Sequence, residues 1–138
     1  MATLTLYCDD SGTHAQSPVA VAACYVAPVL QWEHFVRDWN AANEAENFGV
    51  FHMVDFVAKK EQFAGPEWHD DEKRKRTIRR LINIIGTRAK HGFFSAVEKE
   101  GYDREVPQEF RDKRKLGNNH YTFAVRMAMA KVLKWRMT

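Results

Sequence analysis

Two strand-like segments, separated by a short polar loop, constrain this chain most. Leu4-Thr5-Leu6 alternates apolar and polar and runs into Tyr7-Cys8-Asp9-Asp10-Ser11-Gly12. Val19 to Val26 is a near-continuous run of Val, Ala, Cys and Tyr, closed by Pro28. A run that apolar reads as a buried strand, and the loop Thr13–Pro18 is short enough to fold it back antiparallel on the first. The first strand is expected over Leu4–Cys8, with the acidic turn at its end. Neighbouring strand side chains point to opposite faces, so one of Asp9 and Asp10 faces a site and the other supports it or meets solvent.

The remaining chain supplies cover for such a sheet. Leu30 to about Ala45 has helical periodicity, with Trp32, Phe35, Val36, Trp39 and Asn43 on one face as core. Val50–Phe56 reads as a short strand entering a helical turn, and Glu61–Trp68 as a loop. A second helix starts at Asp70, its early acids complementing the helix dipole. Its apolar stripe is Ile78, Leu81, Ile82, Ile85 and Ala89, and Gly92 is its stop signal. Phe93–Val97 is a third strand. Tyr102–Phe110 carries Pro107 and fits no long element. Gly117-Asn118-Asn119 is a turn and N-cap for a last helix, Tyr121 to about Trp135, with Tyr121, Val125, Ala128 and Val132 on its buried face. The expected fold is α/β, one domain over residues 1–138, with helices packed on a sheet. Three strands are fewer than the usual ~5–6. The sheet is therefore expected to be incomplete at its C-terminal side, finished by further chain, a partner or a dimer mate.

The net charge of +3 hides a split. Residues 1–72 hold three basic and twelve acidic residues; residues 73–138 hold eighteen basic and six acidic. Either the halves attract each other, or the second presents a surface to a polyanion, or its helix faces are simply solvated. No apolar run approaches the ~20 residues that span a bilayer, and no basic-then-apolar leader opens the chain. A cytoplasmic setting is expected. There Cys8 and Cys24 would be buried thiols, although a hairpin would bring them close enough to bridge.

Adjacent carboxylates at a strand end are good ligands for Mg²⁺ or Mn²⁺. Asp9 and Asp10 are the first candidates, with Glu98 at the end of the third strand as a third carboxylate. Two-metal phosphoryl-transfer sites need several such groups converging from different elements. The rival reading of Asp9-Asp10-Ser11-Gly12 is an Asx-type turn. His52, three residues before Asp55, is a candidate base or site-lining residue, and His14 follows the acidic loop. Lys73, Arg76, Arg79 and Arg80 cluster on one helix face as candidate nucleic-acid contacts, joined by the run Arg111–Lys115. No Walker loop, zinc-ligand spacing, helix-turn-helix or nucleophile elbow is present.

The opening Tyr7-Cys8-Asp9-Asp10-Ser11-Gly12 resembles the Tyr-x-Asp-Glu-Ser-Gly start of the domain-of-unknown-function family 3800, with Asp10 in place of the usual Glu. The strand Val19–Val26, the segment of His52 before Asp55-Phe56, and the helix Tyr121–Trp135 extend the resemblance over most of the chain. It implies a ribonuclease H-like mixed sheet and a divalent-metal-dependent nuclease. In that picture Asp9 holds the metal, Asp10 is its neighbour and His52 lines the site. A later acidic strand and an acidic C-terminal helix motif of that family have no counterpart in these 138 residues. A non-catalytic module of the same fold, binding nucleic acid or protein, is the alternative expectation.

Overall fold

A computed structural model describes residues 3–89, 91–111 and 119–138. Its sheet has three antiparallel strands in the order β1-β2-β3: β1 is Leu4–Ser11, β2 Val19–Pro28 and β3 His91–Glu98. β2 is central because it is the most apolar strand. Ala20, Ala22, Cys24 and Val26 are buried on one face and alternate with half-buried neighbours. β3 runs antiparallel to it, from Val19 opposite Glu98 to Val26 opposite His91. The helices are α1 Val29–Glu46, α2 Met53–Ala58, α3 Asp71–Arg88, α4 Lys99–Glu105 and α5 His120–Met137. Short 3-10 turns occupy Glu61–Phe63, Pro66–His69 and Gln108–Phe110. The architecture is mixed α/β.

The chain divides into two compact units, residues 27–90 with the first three residues, and residues 4–26 with 91–138. The helical unit is built on aromatic rings. Phe48, Phe56, Phe63 and Trp68 are buried with Ala42, Leu81 and Ile84, and Phe35, Trp39, Phe51 and Ile78 pack on them. Phe63 lies within 5.5 Å of Phe51, 5.3 Å of Phe56 and 4.9 Å of Trp68, mostly edge to face. In the sheet unit, Ala22, Cys24 and Val97 pack against Tyr102 of α4 and Ala124 and Ala128 of α5. The two alanines let α5 lie close on the sheet.

Several local expectations give way to the structure. β1 continues through Asp9 and Asp10 to Ser11. The turn falls at Gly12, whose φ of +71° is left-handed and whose missing Cβ would sit 2.0 Å from the Val19 carbonyl oxygen. Val50–Phe56 holds no strand; α2 starts at Met53 with extended His52 before it. Asp70 caps α3 rather than beginning it, its carboxylate accepting the Glu72 N–H at 2.9 Å. The stripe of α3 is rotated: Thr77, Leu81 and Ile84 are buried while Ile82 is exposed. Thr77 is tolerated there because its hydroxyl donates to the Lys73 carbonyl at 2.9 Å. Val36 on α1 is exposed, and Asn43 binds the following loop, accepting from Phe48 and Gly49 N–H.

Gly92 lies inside β3, not after a helix; it faces Tyr25, and a Cβ there would meet the Tyr25 ring at 2.9 Å. α4 was hidden by Gly101, which Glu98 caps. Cys8 and Cys24 are joined in a disulfide rather than held as thiols.

Candidate functional site

The antiparallel order sets the C-terminal ends of β1 and β3 on either side of the start of β2. There, within the sheet unit, a cavity of about 390 Å³ is lined by Asp10, Thr13, Ala20, Lys99, Asn119, His120 and Tyr121. Strand alternation selects Asp10. It lies on the face of Cys8, which is bonded to buried Cys24, and Asp9 lies on the other face. The resemblance implies Asp9 as the metal-holding carboxylate, but the carboxylate on this cavity is Asp10.

The loop and helix ends fix these groups. Asp10 Oδ2 accepts from the Thr13 hydroxyl at 2.9 Å, and Asp9 Oδ1 accepts the Asp10 N–H at 2.9 Å. Neither bond is the Asx-type turn of the rival reading, in which Asp10 or Ser11 binds the backbone around Gly12: Asp10 takes a side-chain hydroxyl, and Asp9 takes the N–H of the next residue. Lys99 Nζ donates to the His14 carbonyl at 2.8 Å, so His14 contributes backbone. Asn119 caps α5, accepting the Thr122 N–H at 2.7 Å, and so sets His120 and Tyr121 on the first turn. His120 Nε2 lies 3.0 Å from Asp103 Oδ1, and the His120 ring meets Tyr102 edge on. Arg111 also reaches Asp103, at 3.4 Å, and its guanidinium lies over the Tyr102 ring.

Glu98 belongs to the same end of the sheet, but its carboxylate accepts the Gly101 N–H as the cap of α4. His52 is in the helical unit, exposed at the N-cap of α2 and making no capping hydrogen bond through its side chain. It stands on extended backbone, so it does not share a helix face with Asp55. No group of three potential metal ligands forms among the described residues. Asp9 and Asp10 diverge and Glu98 is a cap, so the described residues do not fit a two-metal centre.

Lys73, Arg76, Arg79 and Arg80 all lie on α3. Arg76 grips Glu46 of α1 with two hydrogen bonds, Nε at 3.0 Å and Nη2 at 2.9 Å. Glu46 is buried, yet Arg76 remains 60% exposed. The hydrogen-bonded Arg76, helped by the fields of Lys73 and Arg80, holds the Glu46 carboxyl below its ordinary value, and burial opposes this. Arg76 is correspondingly raised, chiefly by the same hydrogen bonds. Lys73 Nζ sits 4.1 Å above the Trp68 ring. A second bridge, Arg88 to Asp38 at 2.8 Å, also joins α3 to α1. Arg88, then Arg37, hold the Asp38 carboxyl below its ordinary value. Residues 112–115 of the other basic run lie outside the described residues.

Sequence reasoning missed His120 and Lys99. The usable signal was Asn119, because a good N-cap places the next residues at a helix start. The Asp103 partner had no signal without α4. No family model, curated protein or solved structure matches the chain.

Proposed function

We propose that this chain is a nucleic-acid-binding module with a ribonuclease H-like sheet. The observation that carries the reading is the charge balance on α3. Lys73, Arg76 and Arg80 act on the Glu46 carboxylate, Asp70 also acts on Arg76, and Arg79 lies on the same helix, so these cations outnumber the two carboxylates. Arg76 is fixed in orientation by Glu46 while still meeting solvent. A phosphate backbone responds to such a row through counterion release, whatever the sequence of the bases. The three-stranded antiparallel order is compatible with the first half of a ribonuclease H-like sheet. The test is binding of labelled single-stranded and duplex oligonucleotides across a salt series. The expected result is a steep loss of affinity with salt, no effect of EDTA, and at least a tenfold loss in Arg79→Glu/Arg80→Glu. Affinity indifferent to salt and to charge reversal refutes it.

A second reading, phosphodiester hydrolysis at the Asp10 cavity, is favoured by one observation. A carboxylate, an imidazole oriented by Asp103 and an ammonium line the same space. Here Lys99 would face a phosphate, and Asp10 and His120 would exchange protons with water and leaving group. RNA and DNA hydrolysis, assayed with and without Mg²⁺ or Mn²⁺, should then disappear in Asp10→Asn and survive in Asp9→Asn. Equal activity in Asp10→Asn and wild type rules it out.

A further inference from the structure

We propose that Cys8 is a thiol-exchange site, through which a low-molecular-weight thiol opens the bridge between β1 and β2. The two sulfurs of the bridge stand in opposite surroundings. Cys24 is fully buried among Ala22, Val97, Tyr102, Ala124 and Ala128. Cys8 is exposed, on a strand at the edge of the sheet whose residues from Tyr7 to Ser11 are all exposed. Exchange requires a thiolate to approach one sulfur in line with the S–S bond. Only Cys8 offers that approach.

The attacking thiolate forms a new S–S bond to the Cys8 sulfur. The bond to Cys24 breaks, and its electron pair leaves on the Cys24 sulfur, which takes a proton. A second thiolate then attacks the small-molecule sulfur of the mixed disulfide. The products are the small-molecule disulfide and a Cys8 thiolate, which is protonated in turn. Two thiols are oxidised and one protein disulfide is reduced.

The bridge joins cysteines 16 positions apart, and the segment between them includes the Gly12 turn. Asp10 lies two residues beyond Cys8 on the same face and forms part of the cavity wall. As an edge strand, β1 has one hydrogen-bonded neighbour. Opening the bridge removes the covalent tie between its acidic end and β2, so the thiol state sets the order of the cavity wall.

The experiment uses the whole wild-type chain. Glutathione is added under non-reducing work-up, and peptide mass spectrometry locates the adduct. Amide exchange is then followed with the bridge closed and after reduction. The expected results are an adduct on Cys8 and not on Cys24, and exchange over residues 4–11 faster by at least about tenfold after reduction, with α3 unchanged. The double variant Cys8→Ser/Cys24→Ala should match the reduced protein. Alkylation of both cysteines in untreated protein, an adduct on Cys24, or unchanged exchange in β1 each overturns the proposal.

Discussion

Replacing Glu46 with Gln should move stability and nucleic-acid binding in opposite directions. The carboxylate is 5% exposed and accepts two hydrogen bonds from Arg76, at 3.0 and 2.9 Å. Gln keeps the shape but offers one acceptor and no charge. One charge-assisted hydrogen bond and its Coulomb attraction are lost, which is about 1.5–3 kcal/mol. Breaking a wholly buried pair costs roughly 3–5 kcal/mol because the orphaned ion stays dry. Arg76 is mostly exposed and rehydrates, so about 2 kcal/mol is the expected loss. For a chain of this size that lowers the melting temperature by roughly 6–8 °C. The pH dependence follows from sign. The folded carboxyl is held below its ordinary 4.5, so its stabilisation is complete above that value. It is lost as pH falls through the lowered folded value. The gap between wild type and Glu46→Gln should therefore be full at pH 7 and close in acid. Meanwhile the variant frees one guanidinium charge beside Lys73 and Arg80. Oligonucleotide affinity should rise, and the slope of log affinity against log salt should steepen by about one. Urea melts at pH 7 and at pH 3, with a salt titration of binding, measure all three effects. An equally stable variant refutes the pairing argument, and weaker binding with an unchanged slope refutes the assignment of α3 as the nucleic-acid face.

Phe63→Ala should cost about 3–5 kcal/mol by urea unfolding, since a fully buried ring touching Phe51, Phe56 and Trp68 leaves a cavity its rigid neighbours cannot fill. Phe63→Leu should recover more than half of that loss. Asn119→Ala removes the acceptor for the Thr122 N–H and should cost about 1 kcal/mol, with faster amide exchange confined to the first turn of α5. Gly12→Ala meets both a left-handed φ and the Val19 carbonyl oxygen; a loss above about 1 kcal/mol is expected in thermal melts, and an unchanged melting temperature contradicts the turn geometry.

The long elements were legible because period and punctuation agreed. The α1 expectation differs from the observed helix by one residue at either end, and α3 and α5 by a residue or two. Where a residue's role depends on something distant in sequence, the pattern misleads. Ile82 fits a stripe, but the packing of α3 selects Thr77, whose hydroxyl is satisfied within its own helix. Gly92 resembles a helix stop, but the ring it makes room for, Tyr25, lies on β2. Of the candidate site, the position of the acidic strand end was legible from alternation, including the rule that only one aspartate faces inward. Which aspartate that is depends on which face α4 and α5 cover, and α4 begins at a Glu cap beside a glycine that reads as a loop. The free-thiol expectation followed from the expected cytoplasmic setting, whereas the bridge follows from the hairpin that brings β1 and β2 together.

The charge split shows how sequence order and spatial order part company, and it bears on the proposed function. Counted by halves of the chain, one side is strongly acidic and the other strongly basic. Counted by compact unit, the helical unit holds eleven basic and ten acidic residues, and the sheet unit ten and eight. The split vanishes because the fold places acidic α1 beside basic α3, and two of the crossing contacts are visible as Glu46–Arg76 and Asp38–Arg88. Two ion pairs therefore join the acidic and basic halves inside the helical unit. Of the net charge of +12 on residues 73–138, +8 lies in the helical unit, where the acidic residues of 27–72 nearly balance it, and +4 lies in the sheet unit. What survives is local: the cations of α3 that Glu46 and Asp70 do not offset. This makes the binding claim narrow and exposed to test, because it predicts that charge reversal at Arg79 and Arg80 matters, whereas reversal at Arg88, committed to Asp38, changes stability and leaves the salt slope where it was.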